Sequence, residues 1–377
     1  MKIVHMIADL DNAKGGPVSA VTGLARAQIS AGHDVHVVAT DSGWRGGPGD
    51  IPLTLFRSWD RAWRFSPGLA TGVHAIVRGC DVVHLHGLWD FPILAGARAS
   101  RKARKRYVVT LHGMLNTRAL ASRPWRKRAY LAFAGGAILR HASRLHFTSE
   151  MEHRNAAAAG YEGRAFVCPF GTMLPALDED GPAFRARLGL AAKDRIVLFV
   201  GRLHPQKRPE LLVRAFEEVV LHFPRACLVL VGDGDAGHVS RLHSIAARSA
   251  KRIVFAGALA ASALAQAYAA CDVLVLPSTE ESQGLAALEA MAAARPVIVT
   301  PEVGLAPLVA ACDAGRVVEA HPSALALAIC EVLSDAGLRR RMGANARALV
   351  QSRFSWEVVV RSIEREYDRL PGASREH

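Results

Sequence analysis

Glu281 and Glu289 stand eight positions apart in the segment Pro277-Ser-Thr-Glu-Glu-Ser-Gln-Gly-Leu-Ala-Ala-Leu-Glu-Ala-Met-Ala-Ala-Ala-Arg-Pro-Val-Ile-Val-Thr300. An apolar run, Val273 to Leu276, ends at Pro277, a polar loop closes at Gly284, and a helical pattern carries Glu289 until Pro296 stops it. One carboxylate therefore belongs to a loop and the other to a helix, about 7.5 Å beyond Gly284 at 1.5 Å per residue. Between them the helix start offers unpaired backbone N–H groups and a partial positive charge, a seat for phosphate. The layout suits an elongated ligand with hydroxyls at both ends and phosphates in the middle, which is the shape of a nucleotide sugar. The ordinary alternative is a solvated loop charge beside an unrelated surface glutamate.

The segment resembles the signature of family 4 glycosyltransferases, retaining enzymes of the GT-B fold, which reads roughly P-S-x-x-E-G-F-G-L-x-x-x-E-A-M-A-x-G-x-P-V. Here Ser282 and Gln283 stand for the usual Gly-Phe, and Ala294 for the usual Gly. The resemblance implies that Glu289 holds the ribose hydroxyls and Glu281 the hydroxyls of the donor sugar. The N–H groups at Gly284 and Leu285 would then face the diphosphate.

Two phosphates held by N–H groups alone keep much of their charge, so a cationic element is expected upstream. Ile196-Val-Leu-Phe-Val-Gly-Arg-Leu-His-Pro-Gln-Lys-Arg-Pro-Glu-Leu-Leu212 supplies one: a buried-type strand, a turn at Gly201, then Arg202 and Lys207 before a new helix. Arginine grips phosphate oxygens bidentately and lysine adds a point charge. The element is similar to the family's G-R-L-x-x-x-K-G, with Arg208 in place of the second glycine. Contacts to the nucleotide base are implied to come from backbone around Gly257 to Leu259.

The strand Ile3 to Ala8 leads into a loop ending Lys14-Gly15-Gly16-Pro17 and a helix from about Val18 to Ala31. Adjacent glycines let backbone approach a phosphate or sugar closely, although the spacing is not that of a dinucleotide fingerprint. Followed by Gly32-His-Asp-Val-His-Val-Val-Ala-Thr40, the stretch is similar to the family's opening, in which Gly15 and Gly16 would face a central cleft. Asp81-Val-Val-His-Leu-His-Gly-Leu-Trp89 and Tyr107-Val-Val-Thr-Leu-His-Gly-Met114 read as short buried strands. Each releases a His-Gly pair at its carboxyl end, the edge where open α/β sheets bind ligands. His112 matches the family's histidine near the transferred sugar. His84 and His86 are placed on opposite faces of their strand, which argues against a metal pair, and His84 reads equally well as a packed core histidine. Asp233-Gly-Asp235 looks like the D-x-D metal site of other glycosyltransferases. The family's V-G-D-G turn is structural, however, and the resemblance implies neither a divalent metal nor any other cofactor.

These elements need a scaffold. At 377 residues the chain suits two domains, and strand-like runs alternate with Ala-rich helical patterns in both halves, the mark of doubly wound sheets. The expected fold class is α/β: two Rossmann-like doubly wound parallel-sheet domains of the GT-B type. Residues 1–170 would form the acceptor-side domain, completed by a C-terminal helix in 355–377, and 171–354 the donor-binding domain. The hinge is expected in Cys168 to Pro182, where Phe170 stands at a position usually Asn in the family. Phe354 to Tyr367 resembles the final helix that in GT-B enzymes returns to the first domain.

Six cysteines without a C-x-x-C pair indicate neither a zinc site nor a disulfide framework. Asp9 and Asp11 near the start exclude a signal-peptide core, and the longest Ala-rich stretch, Phe255 to Leu276, is interrupted by Gln266 and Asp272. A cytoplasmic location is expected. Charge is uneven: between Asp90 and Glu150 there are 13 Lys and Arg and no acidic residue, a span equal to the whole formal excess of +13. The basic region 98–128, with Trp125 beside Arg126 to Arg128, suits the anionic inner face of a membrane and a lipid-linked or glycan acceptor. A solvated basic face is the plain alternative. Nucleic acid is not an expected partner, because stacking aromatic signatures are absent. The expected activity is transfer of a sugar from a UDP- or GDP-sugar type of donor to a hydroxyl, as in bacterial surface polysaccharide assembly. A GT-B epimerase or phosphorylase, or a non-catalytic nucleotide-sugar binder, are the alternatives.

Overall fold

The computed structural model describes residues 1–11, 16–41, 49–161, 163–175, 181–247 and 252–370. It divides into two compact units, Met1–Gly171 with the chain from Trp356 onward, and Thr172–Ser355.

The first unit is built on seven strands: β1 (Lys2–Ile7), β2 (Asp34–Asp41), β3 (Leu53–Arg57), β4 (Val82–His86), β5 (Arg106–Thr110), β6 (Arg144–Phe147) and β7 (Ala165–Val167). They lie in the order β3-β2-β1-β4-β5-β6-β7, and each neighbouring pair is parallel. The helix Trp356–Asp368 belongs to this unit. It buries Trp356, Val359, Val360, Ile363 and Tyr367, one stripe at helical spacing. A side chain added at Gly23 would strike the Trp356 ring, so that glycine lets the two helices approach. Glu364 pairs with His33 at 2.6 Å and Glu366 with Arg144 at 2.8 Å.

The second unit holds β8 (Arg195–Val200), β9 (Ala226–Val231), β10 (Ile253–Gly257), β11 (Val273–Leu276), β12 (Val297–Val299) and β13 (Gly315–Val317), in the order β10-β9-β8-β11-β12-β13, again all parallel. The continuous apolar runs follow from burial on both faces. Ile196 and Leu198 of β8 enter one core cluster, and Val197 and Phe199 enter the other, as the alternation of a strand requires. Each fully buried aliphatic chain contributes about 1.5–3 kcal/mol, so neither face can be left bare.

Both sheets reverse their winding once, between β1 and β4 in the first unit and between β8 and β11 in the second. At such a switch point the loops leaving the two strands turn in opposite directions and open a crevice at the carboxyl edge. The loops that follow β8 and β11 are those carrying Arg202, Lys207, Glu281 and Gly284.

Candidate functional site

In the second unit, β8 ends at Gly201, Arg202 is exposed, and a short turn, Pro205–Lys207, precedes the helix Pro209–His222. From β11 the chain runs through Pro277 to Gly284 and enters the helix Leu285–Ala292, which carries Glu289. The two loops are sewn together. Thr279 N–H donates to the Gln206 carbonyl at 2.8 Å, and Gln206 Nε2 donates to the Glu280 carbonyl at 2.9 Å. Lys207 Nζ forms an ion pair with Glu281 Oε2, and Ser278 Oγ donates to the same oxygen at 3.4 Å. Arg202, on the same loop as Lys207, has no ion-pair partner among the described residues.

Backbone bonds fix Glu281 from the other side as well. Its N–H donates to the Glu302 carbonyl, its carbonyl accepts from Gly304 N–H, and Leu305 N–H donates to the carbonyl of the buried Gln283 at 3.1 Å. Gly284 adopts φ 97°, and a Cβ there would lie 2.8 Å from Val303 Cγ1, so only glycine lets the helix begin at this point. The first N–H groups of that helix lack intrahelical acceptors. Tyr268, on the helix Ala261–Ala270, donates its phenol proton to Glu289 Oε2 at 2.6 Å. Burial raises the Glu289 pKa, and the Tyr268 bond opposes the rise. Tyr268 itself is pushed well above its ordinary value, first by burial and then by the carboxylate.

Gly257 ends β10 with φ 66°, and its carbonyl accepts from Gly232 N–H at 2.8 Å. Leu259, two residues on, is half-buried. The Asp233-Gly-Asp235 motif has structural duties here: Asp233 Oδ1 accepts from Ala258 N–H at 3.2 Å, and Asp235 caps the helix Ala236–Ala246 through the N–H groups of Gly237 and His238.

In the first unit Gly16 opens the helix Gly16–Ser30, while Gly15 lies outside the described residues. His112 follows β5 with φ 49° and stacks on the buried Phe170 at 5.4 Å between ring centroids and 4° between planes. The next residue, Gly113, donates its N–H to Glu152 Oε1 at 2.5 Å. Glu152 Oε2 accepts from Thr148 N–H and Oγ1–H, both at 2.8 Å, and Ser149 Oγ accepts from Glu152 N–H. Burial still lifts the Glu152 pKa against these bonds. Glu152 therefore anchors the His112 loop, a role that sequence reading missed. Its signal was the Ser149-x-x-Glu152 spacing of a helix start.

A family model described as a glycosyl transferase 4-like domain matches residues 15–171, and one described as glycosyl transferases group 1 matches residues 180–349. The chain belongs to the family 4 glycosyltransferases. The D-inositol 3-phosphate glycosyltransferase of Nocardia farcinica is 37% identical over 196 residues, covering 50% of this chain and 43% of that protein. The chain spans about half the length of the curated relatives it matches. HepE of Anabaena, solved in complex with UDP and glucose, shares the fold at TM-score 0.81 and 23% identity over 98% of this chain and 100% of that one. WaaG, a glycosyltransferase involved in lipopolysaccharide biosynthesis, does so at TM-score 0.72 and 18% identity over 98% and 100%. The fold is GT-B.

Departures from the family pattern have local explanations. Arg208, at the place of the second glycine of G-R-L-x-x-x-K-G, adopts φ 51°, and Ala294, at the place of the signature glycine, adopts φ 56°. Both keep the left-handed backbone that glycine usually supplies. Phe170 covers the edge of a histidine cluster, with His86, His112 and His146 all in ring contact.

One expectation was wrong. His84 and His86 do not face opposite sides: side chains two apart on a strand share a face, and their rings stack at 4.3 Å. His84 is nonetheless a satisfied core residue, bonded to Tyr367 Oη and to Thr110 Oγ1, both at 2.6 Å. His5, His84 and His86 present ring nitrogens within 4.8 Å of one another.

Proposed function

We propose that this protein transfers a sugar from a nucleoside diphosphate sugar to a hydroxyl of an acceptor, with retention at the anomeric carbon. The bond from the anomeric carbon to the diphosphate oxygen breaks, a bond to the acceptor oxygen forms, and the acceptor's proton is released. The observation that carries this reading is the ion pair of Lys207 with Glu281 across two loops at the switch point of the second sheet.

In this reading Arg202, Lys207 and the N–H groups at Gly284 and Leu285 stabilise the charge that grows on the departing diphosphate, a kind of help that often dominates catalysis. Glu289 accepts from the ribose hydroxyls with Oε1, since Oε2 is engaged by Tyr268. Glu281 accepts from the donor sugar, and His112 positions that sugar. Backbone at Gly201 and from Gly257 to Leu259 lines the nucleotide. Cations and N–H groups supply the phosphate's countercharge, so transfer is proposed to proceed without a divalent metal. The UDP held by HepE makes UDP-glucose the first donor to try.

The acceptor is proposed to be a glycan or a lipid-linked glycan in surface polysaccharide assembly, approached at the cytoplasmic face of a membrane. Support comes from a surface on the first unit. On the helix Pro124–Tyr130, Trp125 is 69% exposed with the Arg126 guanidinium 5.1 Å from its ring centroid, and Phe133 just beyond is 88% exposed. No helix among the described residues is long and apolar enough to cross a membrane. The decisive assay follows nucleotide release from UDP-glucose with acceptor, in chelator. Acceptor-dependent release supports transfer; complete consumption of donor without acceptor would overturn it.

A further inference from the structure

The first unit buries two hydrogen-bonded chains whose direction can be read from their ends. At one end His146 Nε2 lies 2.6 Å from the Cys168 carbonyl oxygen, which can only accept. Burial holds the His146 pKa down at about 4, so the ring is neutral near pH 7 and its Nδ1 must accept. Thr110 Oγ1, 2.7 Å away, therefore donates to His146 and accepts from His84 Nε2 at 2.6 Å. His84 is neutral for the same reason, burial followed by its histidine neighbours. Its Nδ1 then accepts the phenol proton of Tyr367 at 2.6 Å.

Tyr367 has now given away its only proton, and its oxygen retains lone pairs. The side chain of Gln28 faces that phenol and lowers its pKa against the rise burial imposes, although Nε2 makes no well-formed hydrogen bond. An oxygen with lone pairs alone attracts the amide NH2, which leaves the Gln28 carbonyl oxygen toward His5. The observed contact fits: Gln28 Oε1 is 2.6 Å from His5 Nε2. His5 thus carries its proton on Nε2 and accepts on Nδ1 from His86 Nε2 at 2.9 Å. His86 in turn accepts on Nδ1 from His112 Nε2 at 3.4 Å.

We propose that Gln28, His5 and His86 are positioning residues that lock His112 in the Nε2–H tautomer, leaving Nδ1 as an acceptor for a hydroxyl of the donor sugar. The donor–acceptor order runs from the Gln28 carbonyl oxygen through His5 and His86 to the one histidine that the proposed function assigns to the sugar, and the inference rests on that assignment. His112 Nδ1 has no hydrogen-bond partner among the described residues. Each N–H of His5 and His86 is already directed at a neighbour, so the close approach of these rings is accounted for by the relay. The consequence is chemical. A sugar that offers a hydroxyl proton at this point is favoured, and a deoxy or O-methyl analogue is not.

The test is the ring nitrogen spectrum of histidine-labelled, ligand-free protein near neutral pH, which decides the relay whether or not transfer activity is found. The expected result is His112 wholly in the Nε2–H form. Gln28→Met, which removes the accepting oxygen, should bring in the second tautomer and lower kcat about fivefold, the worth of one neutral hydrogen bond. A wild-type spectrum showing His112 protonated on Nδ1, or a mixture of both forms, would overturn the proposal even if every variant failed to fold. So would a Gln28→Met protein with an unchanged tautomer.

Discussion

Tyr268 donates a 2.6 Å hydrogen bond to Glu289 Oε2, so the helix carboxylate is held by a residue from a different helix. Tyr268 is buried and has no other way to satisfy its phenol among the bonds described for it. A hydrogen bond to a charged group contributes about 1.5–3 kcal/mol. Tyr268→Phe should therefore weaken nucleotide binding about ten- to a hundredfold, at about 1.4 kcal/mol per factor of ten. The bond also restrains the Glu289 pKa, so its loss should move the acid limb of nucleotide binding to higher pH. Calorimetric titrations across pH would show both effects, and identical isotherms for the two proteins would remove Tyr268 from the account.

Ala294 occupies the left-handed position after the helix Leu285–Ala292, in a double bond pattern: Arg295 N–H to the Ala290 carbonyl at 2.9 Å and Ala294 N–H to the Met291 carbonyl at 3.0 Å. A left-handed residue with a Cβ costs roughly 1–2 kcal/mol, partly offset by the greater chain entropy of glycine when unfolded. Ala294→Gly should raise stability by about 0.5–1 kcal/mol, a shift of a few degrees in Tm. A lowered Tm would show that the strain is absorbed elsewhere.

Acid should destabilise the first unit through its histidines. Burial depresses His5 and His146 to about 4 and His112 to about 3, and holds His84 and His86 well below the usual value. Between 6.5 and about 4 the unfolded chain binds more protons than the folded one, so stability present above 6.5 is lost as pH falls through that window. Each of His5 and His146 contributes about 3 kcal/mol at 1.36 kcal/mol per pKa unit. Asp90, raised to about 6, and Glu152, also raised by burial, act in the opposite sense, stabilising at low pH and losing that contribution as pH rises. The five buried histidines outweigh the two carboxyls. The unfolding midpoint should drop steeply from pH 6.5 to pH 4, and a flat profile would mean that these rings are solvated.

The basic surface makes a separate prediction. Flotation with vesicles of anionic lipid should recover the protein, and neutral vesicles should not. Replacing Arg126 and Arg128 with Glu should abolish recovery, since each basic residue contributes about 1 kcal/mol near an anionic surface. Equal recovery with both lipids would reduce the patch to a solvated face.

Much of this architecture was legible because its signals are local. Apolar runs ending at Gly201 and at Pro277 marked β8 and β11, and the helix carrying Glu289 announced itself between Gly284 and Pro296. The two carboxylates stood out through their spacing, and the motif glycines through their resemblance to the family pattern. What escaped depends on contacts between residues far apart in the chain: Tyr268 with Glu289, Glu152 with Gly113, and the relay from Gln28 to His112. Arg208 and Ala294 depart from the family's glycines, yet both adopt the backbone of the glycines they replace. Phe170 also looked anomalous, and its reason is visible only with the rings of His86, His112 and His146 around it.

The central claim is that Arg202 and Lys207, beside Glu281, form the seat of a nucleoside diphosphate. A thermal-shift titration with UDP, GDP, ADP and TDP, on wild type and on the Arg202→Ala, Lys207→Ala double variant, tests it most directly. At a hundredfold excess over Kd a ligand of the folded state adds about 2.7 kcal/mol. One diphosphate should raise the wild-type Tm by several degrees while the variant, with nearly the same Tm alone, shows no shift. No response to any of the four, or an equal shift in the double variant, would contradict the account.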